Sequence, residues 1–274
     1  MQQEKSLTEV AVHAAKVRVH QGRRLLRWWL QPRHYPRPRL ASGGFDHLLW
    51  RKSVPIERGD ADAHPLLEAG KLTNLRLAAP YFDGLELGPG QPLSFWRTLG
   101  QVSARRGFRH GMELKAGCIV PALGGGLCLL SNELFVLAAQ LGWTILERYG
   151  HTMEAVPSYT RPWGLDATIF WPYVDLRVEP PYPCRLEVKA GHELSLVVRG
   201  RQPLSGRVEL YSRDDAVGDG WRSNTLMRRR FDSQGKLLAD EVIGHNRKRI
   251  LTSPARRRNC LTCGETACKA RVQL

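Results

Sequence analysis

The stretch "PALGGGLCLLS" at residues 121–131 places a thiol, Cys128, directly behind a glycine run and at the head of an apolar segment with helical spacing. Glycines let a backbone turn sharply and approach a ligand closely, and a helix that begins there aims its unpaired N–H groups at whatever lies in front. A thiol on that first turn feels the positive end of the helix, which favours thiolate. Such a nucleophile needs a base, and the base needs an orienting partner. His151 in "ERYGHTMEAVP" and Asp166 in "GLDATIF" follow in chain order, with Glu147 and Arg148 as the other polar groups beside His151. The chemistry these residues would support is acyl or amide transfer or hydrolysis. Cys128 is the expected nucleophile, His151 the general base, Asp166 or Glu147 the group that orients it, and the N–H groups after the glycine run the oxyanion donors. A second reading needs no catalysis: Gly124, Gly125 and Gly126, with Ser131 and Asn132, form a binding module for an anionic ligand, and Cys128 merely packs.

A separate constellation lies at the C-terminal end, where "NCLTCGETACKARV" spaces Cys260, Cys263 and Cys268 as C-x2-C-x4-C. Thiolates two residues apart can fold around one metal ion, and Gly264 brings the third close. Three ligands are one short of a closed tetrahedron, so His245, Cys184, Cys118 or a partner chain is expected to complete it. Zinc and an iron–sulfur cluster fit the spacing equally.

The elements that must position these groups are legible to different degrees. Leu127, Leu130, Leu134, Leu137 and Leu141 form one stripe of a helix over about 128–141, stopped by Gly142. Strand-like segments follow at 143–149, 166–178, 184–190, 193–200 and 206–212, with "GH" joining the third and fourth as a hairpin. Strands that are sequential neighbours around one helix predict an α+β fold, with a mostly antiparallel sheet packed on a central helix. Residues 4–30 read as a basic amphipathic helix, and the three prolines of 31–43 exclude regular helix there. The expected organisation is a helix and Pro-rich linker over 1–40, a main domain over 41–251 and a basic Cys-rich tail over 252–274.

Charge sharpens that division. Residues 1–55 carry 11 Lys+Arg against 3 Asp+Glu, and residues 221–274 carry 13 against 4, so the middle is close to neutral within a chain of net charge +15. Basic ends suit an anionic surface or an acidic partner, including peripheral contact with a membrane, and a nucleic acid less well because no aromatic stacking platform accompanies them. No apolar run reaches the roughly 20 residues of a membrane span, and the first residues show no signal-peptide pattern. A cytoplasmic location with reduced cysteines is therefore expected.

Finally, "LSFW" (93–96), "GGGLC" (124–128), "LSN" (130–132), "ERYGHT" (147–152) and "DATIFWPYVDL" (166–176), together with "NLRLA" (74–78) and "GPGQPLSF", resemble the VanW family over about residues 40–250. The family commonly has Gln after the cysteine, where this chain has Leu129. Its members are associated with cell-wall and glycopeptide-resistance contexts, so the resemblance implies peptidoglycan-precursor peptides as the substrate class.

Overall fold

A computed structural model describes residues 7–30, 43–57, 64–115, 118–154, 162–250 and 260–261. In chain order the elements are α1 (Leu7–Leu30), β1 (His47–Pro55), α2 (Pro65–Phe82), β2 (Leu85–Leu87), β3 (Leu93–Ser94), α3 (Phe95–Leu99), β4 (His110–Lys115), β5 (Cys118–Leu123) and α4 (Cys128–Gln140). They continue as β6 (Thr144–Glu147), β7 (Met153–Glu154), β8 (Arg177–Glu179), β9 (Cys184–Ala190), β10 (Glu193–Gly200), β11 (Arg207–Gly218), β12 (Trp221–Phe231) and β13 (Leu237–Ile250). The result is a sheet-rich α+β fold whose strand pairs are antiparallel apart from β7 on β13.

The sheets have the orders β1-β10-β9-β2, β11-β12-β13-β7 and β3-β8-β6, with β4-β5 as a separate hairpin. In β9 and β10 every second residue is buried, and Leu186, Val188, Leu194, Leu196 and Val198 point into the core. Period-two alternation of this kind fixes the register, since a slip of one residue would turn the whole set outward. The turn at Gly191 and His192 closes the hairpin, with Leu194 opposite Ala190.

Helix α4 is apolar on nearly every side, and Leu130, Leu134, Phe135, Leu137, Ala138 and Ala139 are fully buried. Its end is built by Gly142, whose positive φ of 71° lets the Trp143 N–H return to the Ala138 carbonyl at 2.9 Å. Arg228 of β12 is also buried there and donates to the carbonyls of Ala138, Ala139 and Trp143. A cation at the negative end of a helix is favourable, and these bonds satisfy carbonyls the helix leaves open.

Two of the shared sequence motifs interlock as scaffold. Asp175, fully buried, accepts from the Ser94 hydroxyl at 2.6 Å and from the Trp96 N–H at 3.1 Å, while the Trp96 indole donates to the Val174 carbonyl. Arg24 of α1 reaches into the same place, bonding Asp175 at 3.3 Å, Glu147 at 3.0 Å and the Pro172 and Tyr173 carbonyls. α1 is continuous through Gly22 and is tied to the domain by this buried guanidinium. Ring contacts of His20 with Tyr173 and of Trp28 with Trp171 add to it, and the Trp28 carbonyl accepts from Arg97.

The strand expected over 166–178 is absent as such. Only Arg177–Glu179 pairs in a sheet, and the preceding residues turn back on themselves, with Phe170 bridging Val174 around Pro172. Proline has no N–H for a ladder and breaks the run. Conversely, β4, β5, β12 and β13 lie outside the expected strands.

Candidate active site

The glycine run forms the turn between β5 and α4, and Cys128 is the first residue of the helix. Gly124 and Gly126 both take positive φ, 76° and 92°. Gly125 faces Gly111 of β4 so closely that a Cβ on Gly125 would lie 2.4 Å from the Gly111 carbonyl carbon. The amides of Gly124 and Gly125 donate to the Arg109 and Ala122 carbonyls, so these donors shape the turn and do not project into the cleft. Asn74 of α2, fully buried, clamps the loop from behind, donating to the Arg109 and Gly125 carbonyls and accepting from the Arg109 N–H.

One turn into α4, Ser131 and Asn132 grip the segment that carries Asp166. The Ser131 hydroxyl donates to the Ala167 carbonyl at 2.6 Å, and Asn132 Oδ1 accepts from the Ala167 N–H at 2.9 Å. Thr168 N–H donates to the Tyr149 carbonyl at 2.8 Å, which locks the same segment to the loop before His151. Residues 166–169 thus run between α4 and the 148–151 loop, held from both sides, although they are not in a sheet. Ser131 is fully buried in this brace, whereas Asn132 also lines the cleft.

These constraints bring together Cys128, His151 and Asp166. His151 Nδ1 sits 3.0 Å from Asp166 Oδ2, which leaves Nε2 as the ring nitrogen to serve the Cys128 thiol lining the same cleft. Asp166 is flanked by two cations. Arg148 donates to Oδ1 at 2.9 Å and to the Asp166 carbonyl, and Lys248 of β13, itself buried, bonds Oδ2. Arg148 is fixed in turn by the Gly164 carbonyl, Asn246 Oδ1 and the face of Phe135, whose ring centroid is 4.8 Å away.

Electrostatics follow from this packing. Burial alone would raise the Cys128 thiol, but the hydrogen bond and charge of His151, with the Ile169 N–H and the Thr168 side chain, outweigh it and hold the thiol below its ordinary value. Burial disfavours a charged His151, yet Asp166 on one side and Cys128 on the other raise it to about 9. Asp166 is lowered to about 2, against the pull of burial, by His151 and Lys248. The array thus favours a thiolate–imidazolium pair over the neutral pair, beside a carboxylate and with two further cations behind it.

The pair opens onto a cleft of about 540 Å³ walled by Trp96, Met112, Ile119, Leu129, Phe170 and Trp171, with Gln101, Lys71 and Asn132 as polar lining. Leu129, the residue after the thiol, is part of this apolar wall. Glu147 is elsewhere. Its carboxylate accepts from Arg24 and from the Asp175 N–H, so it belongs to the α1 anchor and does not orient His151. Among the proposed metal ligands, Cys260 is described and buried, while Cys263 and Cys268 lie outside the described residues. Among the described residues no group of three or more His, Cys, Asp or Glu side chains gathers as for a metal ion. Sequence reasoning missed Lys248 and Asn74. Lys248 sits in a basic run that reads as solvated surface, and nothing local marks it as buried.

Residues 70–198 match the family model described as VanW like protein. The chain is 28% identical over 144 residues to the vancomycin B-type resistance protein VanW of Enterococcus faecalis, covering 52% of each chain. It is 31% identical over 117 residues to the uncharacterized protein YoaR of Bacillus subtilis, covering 43% of this chain and 38% of the relative. The chain thus spans about half or less of the length of these curated relatives. No solved structure matches it significantly. The matched residues contain Cys128, His151 and Asp166 together with their braces Asn74, Ser131 and Asn132, and over 70–198 the chain is similar to the VanW-like family.

Proposed function

We propose that this cleft performs thiol-dependent amide or acyl hydrolysis or transfer on cell-wall-related peptides. The observation that carries the reading is the Cys128–His151–Asp166 array at the start of a helix and at the floor of an open cleft. The substrate class follows the printed name of the Enterococcus relative, a vancomycin resistance protein.

The charge state inverts the order of roles expected from the sequence. His151 is already protonated at rest, so it acts first as an acid. The Cys128 thiolate attacks the substrate carbonyl carbon, forming a C–S bond as the carbonyl π pair moves to oxygen. The oxyanion collapses, the C–N bond breaks, and His151 Nε2 gives its proton to the departing amine. The neutral imidazole then takes a proton from water or a second amine, which attacks the thioester. Cleavage of the C–S bond returns thiolate and imidazolium. Asp166 holds the ring and stays ionised throughout, as its lowered pKa requires.

Asn132 supplies an oxyanion donor. Its Oδ1 is occupied by the Ala167 N–H, so its amide Nδ2 is the group left to face the cleft that Asn132 lines. It acts beside the N–H groups that follow the glycine run, since the amides of Gly124 and Gly125 within the run are engaged in the turn.

The basic helix α1 fits peripheral contact with an anionic membrane, where lipid-linked cell-wall precursors reside. Trp29 is 80% exposed, and Leu25, Leu26 and Leu30 are more than half exposed beside Arg23. Among the described residues no helix is long and apolar enough to cross a membrane.

The test is incubation of the full chain with a muropeptide library, followed by mass analysis of the protein. A peptide-acyl adduct on Cys128, absent in Cys128→Ser, supports the reading. Turnover of a peptide by Cys128→Ser at the wild-type rate overturns it.

A further inference from the structure

A second cavity, of about 660 Å³, lies between α1 and the main domain. The turn at 170–173 gives Phe170 and Trp171 to the Cys128 cleft and Pro172 and Tyr173 to this cavity. Its lining is strongly basic. His20, Arg23 and Arg24 come from α1, and Arg148 and Arg177 from the domain, against the single carboxylate of Glu147. The carboxylates behind the wall do not cancel this charge. Glu147 is shared by Arg24 at 3.0 Å and Arg177 at 4.0 Å, Asp166 is shared by Arg148, Lys248 and His151, and Asp175 serves Arg24. Among the described residues, Arg23, Arg24, Arg148, Arg177 and Lys248 thus meet three carboxylates, and concave walls focus the excess positive potential into the hollow.

The basic groups divide by role. The side chains of Arg24 and Arg148 are buried, and their N–H groups are largely committed to carbonyls and carboxylates, so they contribute charge. His20, Arg23 and the hydroxyls of Tyr149 and Tyr173 carry no hydrogen bond or ion pair among the described residues, and they are the donors available to a ligand. Guanidinium N–H groups match phosphate oxygens, and cations that converge in a hollow favour a dianion over a lone carboxylate. An apolar stripe runs past the same place. Val19, Arg23, Leu26 and Leu30 recur at i, i+4, i+7 and i+11 on one side of α1, and the three apolar members are more than half exposed.

We propose that this cavity binds a phosphate or pyrophosphate group, with His20 and Arg23 as contacts from α1 and Tyr149 and Tyr173 from the domain. A free ion and the head of a membrane lipid both offer that chemistry, and the chains of a lipid would follow the stripe of Val19, Leu26 and Leu30. The proposal stands apart from the catalytic reading, because its readout is anion binding and no thiol takes part.

Isothermal titration calorimetry of the full chain with inorganic pyrophosphate and with inorganic phosphate reads the soluble case. Saturable binding is expected, weakened at least about tenfold by Arg23→Glu, which removes a charge-assisted contact from an exposed position. Arg18→Glu, the same charge reversal on the far side of α1, should leave it unchanged. Flotation with vesicles reads the lipid case. Phosphatidylcholine vesicles carrying phosphatidic acid should retain the chain more strongly than those carrying phosphatidylglycerol at equal surface charge, and Arg23→Glu should abolish the difference. Saturable ion binding with equal retention by the two vesicles assigns the site to the soluble ion, and a phosphatidic acid preference assigns it to the headgroup. No saturable binding of either ion together with equal retention overturns the proposal. So does an Arg23→Glu variant that binds like the wild type, or an equal loss in Arg18→Glu, which marks general attraction to a basic helix.

Discussion

Replacing His151 with Ala tests the electrostatics of the cleft most directly. In the intact protein the imidazolium holds the Cys128 thiol below its ordinary value, which for a free cysteine is about 8.5. Without it, burial is opposed by the Ile169 N–H and the Thr168 side chain but by no cation's charge, and the thiol moves upward toward the case of Cys184, which burial raises to about 12. At pH 7.5 an ordinary thiol is roughly one tenth ionised, and one near 12 is ionised to about three parts in 10⁵. The more basic thiolate is intrinsically more reactive by a Brønsted slope of about 0.4–0.5, which recovers a little under half of that loss on a logarithmic scale. The net expectation is about a 10²-fold slower alkylation of Cys128 at pH 7.5 in His151→Ala. Peptide-mapped iodoacetamide kinetics from pH 5 to 10 would measure it, with the five other cysteines resolved by mass. The wild-type rate should already be substantial below the ordinary thiol range, and imidazolium should be lost as pH rises through about 9. Equal rates and superimposable pH profiles for the two proteins would refute the thiolate–imidazolium pair.

Other expectations concern the supports of the site and the edges of the fold. Asp166→Asn removes the charge that raises His151, so alkylation of Cys128 near pH 7.5 should fall at least about tenfold, the equivalent of one pKa unit, with near-native circular dichroism. Because the Asp166 carboxylate is held at about 2, its contribution to stability is complete above about pH 4 and fades as pH falls through about 2, and acid titrations of wild type and Asp166→Asn should converge there. Arg24→Ala leaves Asp175 and Glu147 without their buried partner and should destabilise the chain by about 3–5 kcal/mol in urea denaturation. Gly125→Ala drives a methyl group into the Gly111 backbone and should lower stability by about 1–3 kcal/mol or more, read as a fall in Tm. Trp29→Ser should weaken co-sedimentation with anionic vesicles while leaving Cys128 alkylation unchanged, and high salt should weaken it further.

The parts of the molecule that were legible in its sequence are those where local pattern and tertiary environment agree. The β9–β10 hairpin alternates strictly, with Gly191 at its turn, and its two strands span the expected residues. Helix α4 begins at Cys128 because the glycine loop can turn nowhere else and ends where Gly142 permits positive φ. β12 and β13 were hidden by their charges. Arg228 and Lys248 look like surface groups, yet one caps α4 and the other is paired with Asp166 through contacts 82 residues apart. The segment 166–178 misled in the opposite way, since its β-branched and aromatic residues suit a strand, but it is fixed by side chains of α4 and by Asp175. The chain order of Cys128, His151 and Asp166 was readable. What placed Asp166 rather than Glu147 beside the imidazole was not, because the choice depends on Arg24, more than a hundred residues away.

The parallel pairing of β7 with β13 sets Met153 against Arg249, and the Thr152 carbonyl accepts from the Arg249 N–H at 2.9 Å. His151 and Lys248 are therefore mounted on neighbouring rails of one edge, while Cys128 rides on a separate support, the buried helix. The imidazole and the ammonium are thereby registered to one another by main-chain pairing, independently of the support that carries the sulfur.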